Sequence, residues 1–365
     1  MIVKKTFKCY TYKNMETKII VIDENNIDET LIKEAGDILK RGGLVAFPTE
    51  TVYGLGGDAL NPESSKKIYA AKGRPSDNPL IVHVSNMETI EKIVKEIPED
   101  ARKLADKFWP GPLTMIFNKN ESVPKETTGG LETVAIRMPS NKIARALIDA
   151  EGGYIAAPSA NLSGRPSPTI AKYVIEDMDG RIEMIIDGGA SDVGLESTII
   201  DLTEGYPCIL RPGYITQEML EDALKEEVQW DRAIIDADCK TAPKAPGMKY
   251  RHYAPKGELI IVEGDKEAVI KKINELTELD KKQNLRVGVI ATEETKEYYN
   301  AGFVKSAGHK GDEKEVAHHL FRILREFDDE KADKMYSESF SGAGVGAAVM
   351  NRLLKAAGHQ VIKVE

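Results

Sequence analysis

The sequence predicts an α/β fold in two parts, and three observations carry that prediction. Short apolar, β-branched runs (44–47, 80–84, 113–117, 133–137) alternate with segments that have helical caps and helical periodicity, the pattern of strands and helices packed in layers. Residues rich in hydroxyl, glycine and cationic side chains follow the ends of those runs, where α/β sheets bind their ligands. Residues 230–256 interrupt the pattern with prolines, glycine and a basic, aromatic stretch, and a second alternating segment follows. A length of 365 residues suits about two domains.

Composition narrows the function. A net charge of −9 argues against a globally basic nucleic-acid binder and leaves room for a local basic cleft. Cys9, Cys208 and Cys239 lie far apart and form neither a metal set nor a disulfide framework, which fits a reducing, cytoplasmic setting. No apolar run reaches membrane-spanning length and no secretory signal precedes the first domain, so no membrane partner is expected. Residues 1–14 read as a peripheral extension, with Met15 a plausible second start.

In order along the chain, Ile19 to Ile22 reads as a strand and Asp28 to Arg41 as a helix stopped by Gly42-Gly43. Leu44 to Phe47 is a core strand that runs into Pro48–Gly57, a loop rich in threonine and glycine. Asn61, Pro62 and Glu63 open a helix through cap, first-turn proline and a favourable acid. Gly73 ends it in the left-handed conformation, and Pro75 holds Arg74 extended. Lys72 and Arg74 thus leave a helix on a stiff backbone, ahead of the buried strand Leu80 to Val84 with His83 inside it. Such cations suit a phosphate or carboxylate. A solvated turn is the other reading, and the stretch alone leaves both open.

Pro98 to Trp109 reads as a helix, Leu113 to Phe117 as a strand, and 118–132 as a mobile surface loop. Thr133 to Pro139 is a strand whose residues Thr133 and Arg137, four apart, share a face. Arg137 in an apolar strand needs a carboxylate, from the protein or from a ligand. Asn141 to Ala150 is a helix, and Tyr154 to Pro158 a buried strand followed by Ser159 and Asn161. The rigid loop Leu162 to Pro168 enters a helix at Thr169, with Ser167 placed as its cap or as an anion contact. Ile182 to Asp187, Ser197 to Leu202 and Cys208 to Leu210 are strands, the last ending at Arg211, and Thr216 to Leu224 is a helix. Beyond the linker, strands at 259–262 and 285–291 and helices at 267–275, 315–327 and 347–357 suggest a small three-layer α/β domain. The run Ser341-Gly-Ala-Gly-Val-Gly346 before the last helix is a weak dinucleotide motif, since no strand is read ahead of it and no ribose-binding acid is well placed.

Thr51, His83, Arg137, Ser159, Asn161 and Arg211 lie at or after strand ends, with Lys72 and Arg74 at a helix exit. Cations and hydrogen-bond donors without a nucleophile–base pair suit phosphoryl or nucleotidyl transfer, with Mg²⁺ arriving on the nucleotide. Three motifs, Pro48-Thr-Glu-Thr-Val-Tyr-Gly-Leu, Lys72-Gly-Arg74-Pro with Asn78-Pro-Leu, and Ser159-Ala-Asn161-Leu-Ser-Gly, resemble those of the YrdC-type L-threonylcarbamoyladenylate synthases. Pro246 to Pro255 is similar to the linker of the family's long, two-domain form.

The resemblance implies a twisted, open, mixed sheet with a concave basic cleft over residues 1–229, a linker acting as a lid over 230–256, and a Rossmann-like three-layer domain over 257–365. It implies that L-threonine, bicarbonate and ATP give L-threonylcarbamoyl-AMP and diphosphate. The product would pass to a transferase that modifies tRNA beside the anticodon. Lys72, Arg74, Ser159 and Asn161 would be the catalytic signature. Arg74, Asn78, Thr133, Ser159, Ser167, Arg211 and Tyr250 would hold ATP, and Thr51, His83, Arg137, Ala157 and Ser197 would hold threonine. Mg²⁺ would come with ATP, with no metal fixed by protein side chains. The alternative is an RNA-binding module that uses the same basic concave surface, and weak RNA binding is the partner that reading adds.

Overall fold

The computed structural model describes residues 15–235, 245 and 252–365. Among the described residues the chain forms two sheets, one of eleven strands and one of five.

The first part opens with β1 (Lys18–Val21), α1 (Glu29–Lys40), β2 (Val45–Phe47) and β3 (Gly54–Asp58), then α2 (Pro62–Lys72) and β4 (Ile81–His83). It continues through α3 (Met87–Glu91), α4 (Glu99–Phe108), β5 (Leu113–Asn118), α5 (Lys125–Thr128), β6 (Thr133–Arg137), α6 (Lys142–Glu151) and β7 (Ile155–Ala156). It closes with α7 (Ala171–Met178), β8 (Met184–Asp187), β9 (Thr198–Asp201), β10 (Cys208–Arg211), α8 (Gln217–Leu224), β11 (Gln229–Trp230) and α9 (Arg232–Ile235). The strand order is β1-β8-β2-β3-β7-β4-β6-β5-β9-β10-β11, with parallel and antiparallel pairs interleaved. This is the mixed sheet that the sequence implies. β11 pairs with β10, so the sheet reaches one residue past position 229.

Local chemistry explains the elements around the site. In α2, Asn61 caps the N-terminus through Glu63 N, and Gly73 ends the helix at φ 62°. Alternate residues of β2 enter different cores, Ala46 with Leu55 and Ile185, Val45 and Phe47 with Ile143 and Ile186. A strand buried on both faces is therefore apolar throughout. On part of one face, Ile81, Ile116, Ala135, Ile199 and Leu210 form a small separate cluster, and Ala245 from the linker packs into it.

Several sequence expectations are corrected here. The segment 118–132 is not an open surface loop: it contains α5, and Thr127 is fully buried, donating to Ala59 O at 2.8 Å. The glycines of 54–57 form β3 rather than a loop, because their missing side chains let Phe47 and Ile155 close over the strand. Helix α7 starts at Ala171, capped by Ile170 without a side-chain bond, so Ser167 is not its cap.

The second part contains β12 (Glu258–Glu263), α10 (Lys266–Lys282), β13 (Val287–Ala291), a 3₁₀ turn at Lys296–Tyr298, β14 (Phe303–Ser306), α11 (Glu313–Asp329), β15 (Lys334–Glu338), α12 (Val345–Ala356) and β16 (Val361–Lys363). Its five strands are all parallel, in the order β14-β13-β15-β12-β16. Residues of α10 fill the core on one face, and those of α11 and α12 the core on the other. This is the three-layer arrangement expected. The glycine run 341–346 does follow a strand, β15, which the sequence reading missed; Lys334 to Glu338 alternates too little to stand out.

The two parts share a core. Val52 and Leu195 of the first belong to the apolar cluster of α11 and α12, together with Tyr253, whose ring stacks on Phe321 at 5.0 Å. At Gly194, φ is +80°, and a Cβ would lie 2.5 Å from Ala317 O and from His318 Cα.

Candidate active site

Strands β4, β6 and β5 lie side by side, and their register sets His83 opposite Arg137 and Arg137 opposite Thr114. Matched positions share a face of the sheet, so an imidazole, a guanidinium and a hydroxyl stand in one row. Thr114 Oγ1 is 2.7 Å from Ser197 Oγ. Arg211, at the end of β10, donates from Nη2 to that serine oxygen at 3.1 Å and from Nε to Ser197 O at 3.0 Å.

Arg137 is buried, and its Nη2 lies 2.8 Å from Glu50 Oε1. The two groups are out of line for a hydrogen bond: neither Arg137 Nε and Nη2 nor the Glu50 oxygens have a hydrogen-bond partner among the described residues. Glu50 is thus the protein carboxylate beside this buried cation, and a ligand carboxylate at the guanidinium fork would bind next to it. Burial first, and Arg137 second, push the His83 imidazole down to about 3. The ring is therefore neutral near neutral pH. Nδ1 lies 3.1 Å from Ile81 O, which makes Nδ1 the donor and leaves Nε2 to accept. Such a ring suits an ammonium or hydroxyl of a ligand better than a carboxylate.

Away from this row lies a second group of cations. Arg74 donates from Nη2 to Asn78 O and Pro79 O, both at 3.1 Å, while its Nε has no partner among the described residues, and neither has Asn78 Oδ1. Burial holds the Arg74 guanidinium down at about 10, still a cation. Arg165, in the loop after Asn161, also has an unmatched Nε. Ser159 Oγ donates to Asn161 Oδ1 at 2.5 Å, and Asn161 Nδ2 donates to Leu162 O and Arg165 O. The Ser-x-Asn sequence thus locks the turn that carries both residues.

Thr51, Arg74, His83, Arg137, Ala157, Ser159, Asn161, Ser167, Ser197 and Arg211 line one pocket of about 640 Å³, counted to its open mouth. Lys72 lies beneath this wall. It is buried, and its Nζ donates to Ser159 O at 2.5 Å and Asn161 O at 2.6 Å. Burial, with Arg74 next, holds its amine well below the usual lysine range. Lys72 thus staples the Ser159–Asn161 turn from below rather than facing the pocket. Asn78 is buried outside the wall, Thr133 is half-buried at the start of β6, and Tyr250 lies outside the described residues.

Sequence reasoning missed Tyr53, Arg165 and Glu196, which also line the pocket, as do Thr49, His252 and Tyr253. Arg165 and Glu196 had a readable signal: one is a cation in a proline-stiffened loop, the other a lone acid in the small, apolar Gly194-Leu-Glu-Ser197. Ser167 Oγ donates to Glu196 Oε1 at 2.6 Å, which is where the hydroxyl goes instead of capping α7.

Residues 37–213 match a family model described as telomere recombination, of the Sua5/YciO/YrdC group, and residues 215–358 match the C-terminal domain of threonylcarbamoyl-AMP synthase. The threonylcarbamoyl-AMP synthase of Pyrococcus abyssi is 49% identical over 346 residues, covering 95% of this chain and 99% of that protein. That of Bacillus subtilis is 47% identical over 353 residues, covering 96% and 100%. The chain belongs to the threonylcarbamoyl-AMP synthase family. The crystal structure of P. abyssi Sua5 complexed with L-threonine matches this fold with a TM-score of 0.90 at 48% identity, covering 96% of this chain and all of that one. Membership of this synthase family thus extends over both sheets and the segment joining them.

Proposed function

We propose that this chain is an L-threonylcarbamoyladenylate synthase. Its threonine first forms a carbamate with bicarbonate and releases water. A carbamate oxygen then attacks the α-phosphorus of ATP, the bond to the β-phosphate breaks, and diphosphate leaves. One observation carries the reading: a single pocket holds a buried arginine, Arg137, and a half-buried one, Arg74, each with an Nε unmatched among the described residues. Two anionic groups joined in one reaction suit that pocket.

In this reading Arg137 clamps the threonine carboxylate. Thr51, Ala157 and Ser197 shape the rest of that subsite, with His83 accepting from the ammonium or hydroxyl. Arg74, Ser159, Asn161, Ser167 and Arg211 hold ATP, with Asn78 and Thr133 near the nucleotide and Tyr250 of the linker closing over it. Lys72 supports the Ser159–Asn161 turn. The protein contributes positioning and charge neutralisation, and Mg²⁺ travels with the triphosphate. Residues 1–229 serve as the catalytic domain, 230–256 as linker and lid, and 257–365 as the appended domain. The product goes to a transferase acting on tRNA in the cytoplasm. An RNA-binding module would need an open basic stripe, whereas Arg137 is buried and Arg74 half-buried in one pocket.

The test is ATP–pyrophosphate exchange with the purified chain. Exchange that requires both threonine and bicarbonate is expected, and Arg137→Gln should raise the threonine KM by roughly 30-fold or more, as the loss of a buried charged contact does. Exchange independent of threonine, or RNA binding with steep salt dependence and no exchange, would overturn the proposal.

A further inference from the structure

The first part's pocket is built in part by the second part. Arg352 of α12 is fully buried, donates from Nε to Glu196 Oε2 at 2.9 Å, and donates from Nη2 to Pro212 O at 3.0 Å. The other oxygen of Glu196 accepts from Ser167 Oγ. Arg325 of α11, also fully buried, donates from Nε to Pro166 O at 3.0 Å and from Nη2 to Asp177 Oδ2 at 2.5 Å. Asp177 in turn accepts from Leu162 N at 3.1 Å and pairs with Arg165, which Asp328 reaches from α11 at 3.3 Å. Both ends of the loop from Leu162 to Pro168 are therefore tied to helices of the second part. That loop carries Arg165 and Ser167 into the pocket wall.

We propose that Arg352 and Arg325 are positioning residues for the nucleotide half of the pocket, aiming Ser167 through Glu196 and Arg165 through Asp177. The inference rests on the reading of the pocket as an ATP site. Its physical basis is the state of the Glu196 carboxylate. Burial works to raise the Glu196 carboxyl, but Arg352 and Arg211 outweigh it and hold the group below the usual carboxylate range. An ionised, buried Glu196 accepts strongly from Ser167 and fixes the hydroxyl's direction. The guanidinium fork is planar and rigid, so it sets an orientation that a lysine ammonium would not. Each arginine also takes a backbone carbonyl of the first part: Arg325 takes Pro166 O in the loop itself, and Arg352 takes Pro212 O beside Arg211. A second domain that only added bulk would need none of these four contacts.

The full-length chain is measured by calorimetry for ATP binding and by steady-state kinetics for both substrates. Arg352→Lys and Arg325→Lys keep a buried charge opposite each carboxylate while removing the fork. Each should weaken ATP binding and raise the ATP KM by about tenfold, the scale of one charge-assisted hydrogen bond put out of line. The threonine KM should stay unchanged. Adding Ser167→Ala to Arg352→Lys should cost little more, whereas Ser167→Ala added to Arg322→Met, an exposed pair partner of Glu326, should cost its full amount. If the arginine variants do not fold, Glu196→Gln tests the same link from the first part's side and should also weaken ATP binding. Folded variants with unchanged ATP affinity, or full additivity of Ser167→Ala with Arg352→Lys, would overturn the inference alone. No ATP binding by the unaltered chain would overturn the functional reading beneath it.

Discussion

Two neighbouring cations, Lys72 and Arg74, look equivalent in the sequence and are not. Arg74, in the pocket wall, has an Nε with no partner among the described residues, while Lys72 gives its Nζ to two carbonyls below. Arg74→Ala should therefore leave stability near the parent's and lower adenylate formation by roughly 10²–10³, the cost of one lost contact to transition-state charge. Lys72→Ala should lower both, because it leaves buried carbonyls unsatisfied at about 1–3 kcal/mol each. Urea unfolding beside turnover separates the two, and equal stability of both variants would refute the staple. His83 makes a pH prediction. Its folded value is about 3 against an ordinary 6.5, so the unfolded chain binds the extra proton between those limits. Stability from this group is complete above 6.5 and falls as pH drops, by up to about 1.4 kcal/mol per unit. Glu151 opposes it: burial raises that carboxyl to about 7, so its contribution is lost as pH rises from 4.5 through 7. The difference between the parent and His83→Asn isolates the imidazole. A difference that does not change between pH 6.5 and 4.5 would mean the ring is not held neutral.

Elements were legible where local chemistry decides them, and obscure where a distant partner does. The Asn61 cap, the Pro62 start and the Gly73 stop are local, and α2 follows from them. The apolar runs at 44–47, 80–84, 113–117 and 133–137 become strands of the first sheet for the same reason. Ser167 failed the other way: a serine ahead of Pro168 reads as a cap, and only Glu196, 29 residues on, shows what it bonds. The segment 118–132 failed likewise, because Thr127 is held by Ser65 and Ala59. β3 is the clearest case, since three glycines among four residues argue against a strand until Phe47 and Ile155 are in place. A Cβ at Gly56 would lie 2.9 Å from both Ile155 Cγ2 and Phe47 Cε1. Gly56→Ala should then cost about 1–3 kcal/mol by overpacking, read as a lower denaturation midpoint with unchanged slope. A stabilising Gly56→Ala would show that the strand has room.

At the scale of the whole molecule, the question is whether the first part is complete without the second. Removing residues 231–365 would keep every described motif residue of the pocket and take away what faces them. Val52 and Leu195 would lose their apolar neighbours on α11 and α12. Asp177 and Glu196, both buried, would lose Arg325 and Arg352. Water would replace the second part over both carboxylates, and Asp177 would keep Arg165, so the main losses are the apolar cover and the anchors of the loop. The truncated chain should therefore unfold at lower temperature and lose most threonine-dependent exchange. Adding Asp177→Asn to the truncation takes away the partner that Arg165 keeps and should lower stability further. It should not recover exchange, since the loop carrying Arg165 and Ser167 still lacks its anchors. Thermal melts and exchange assays on the truncated chain, with and without that substitution, give the answer. Full activity of the truncated first part would mean that its pocket is self-sufficient and that the second part has a separate task.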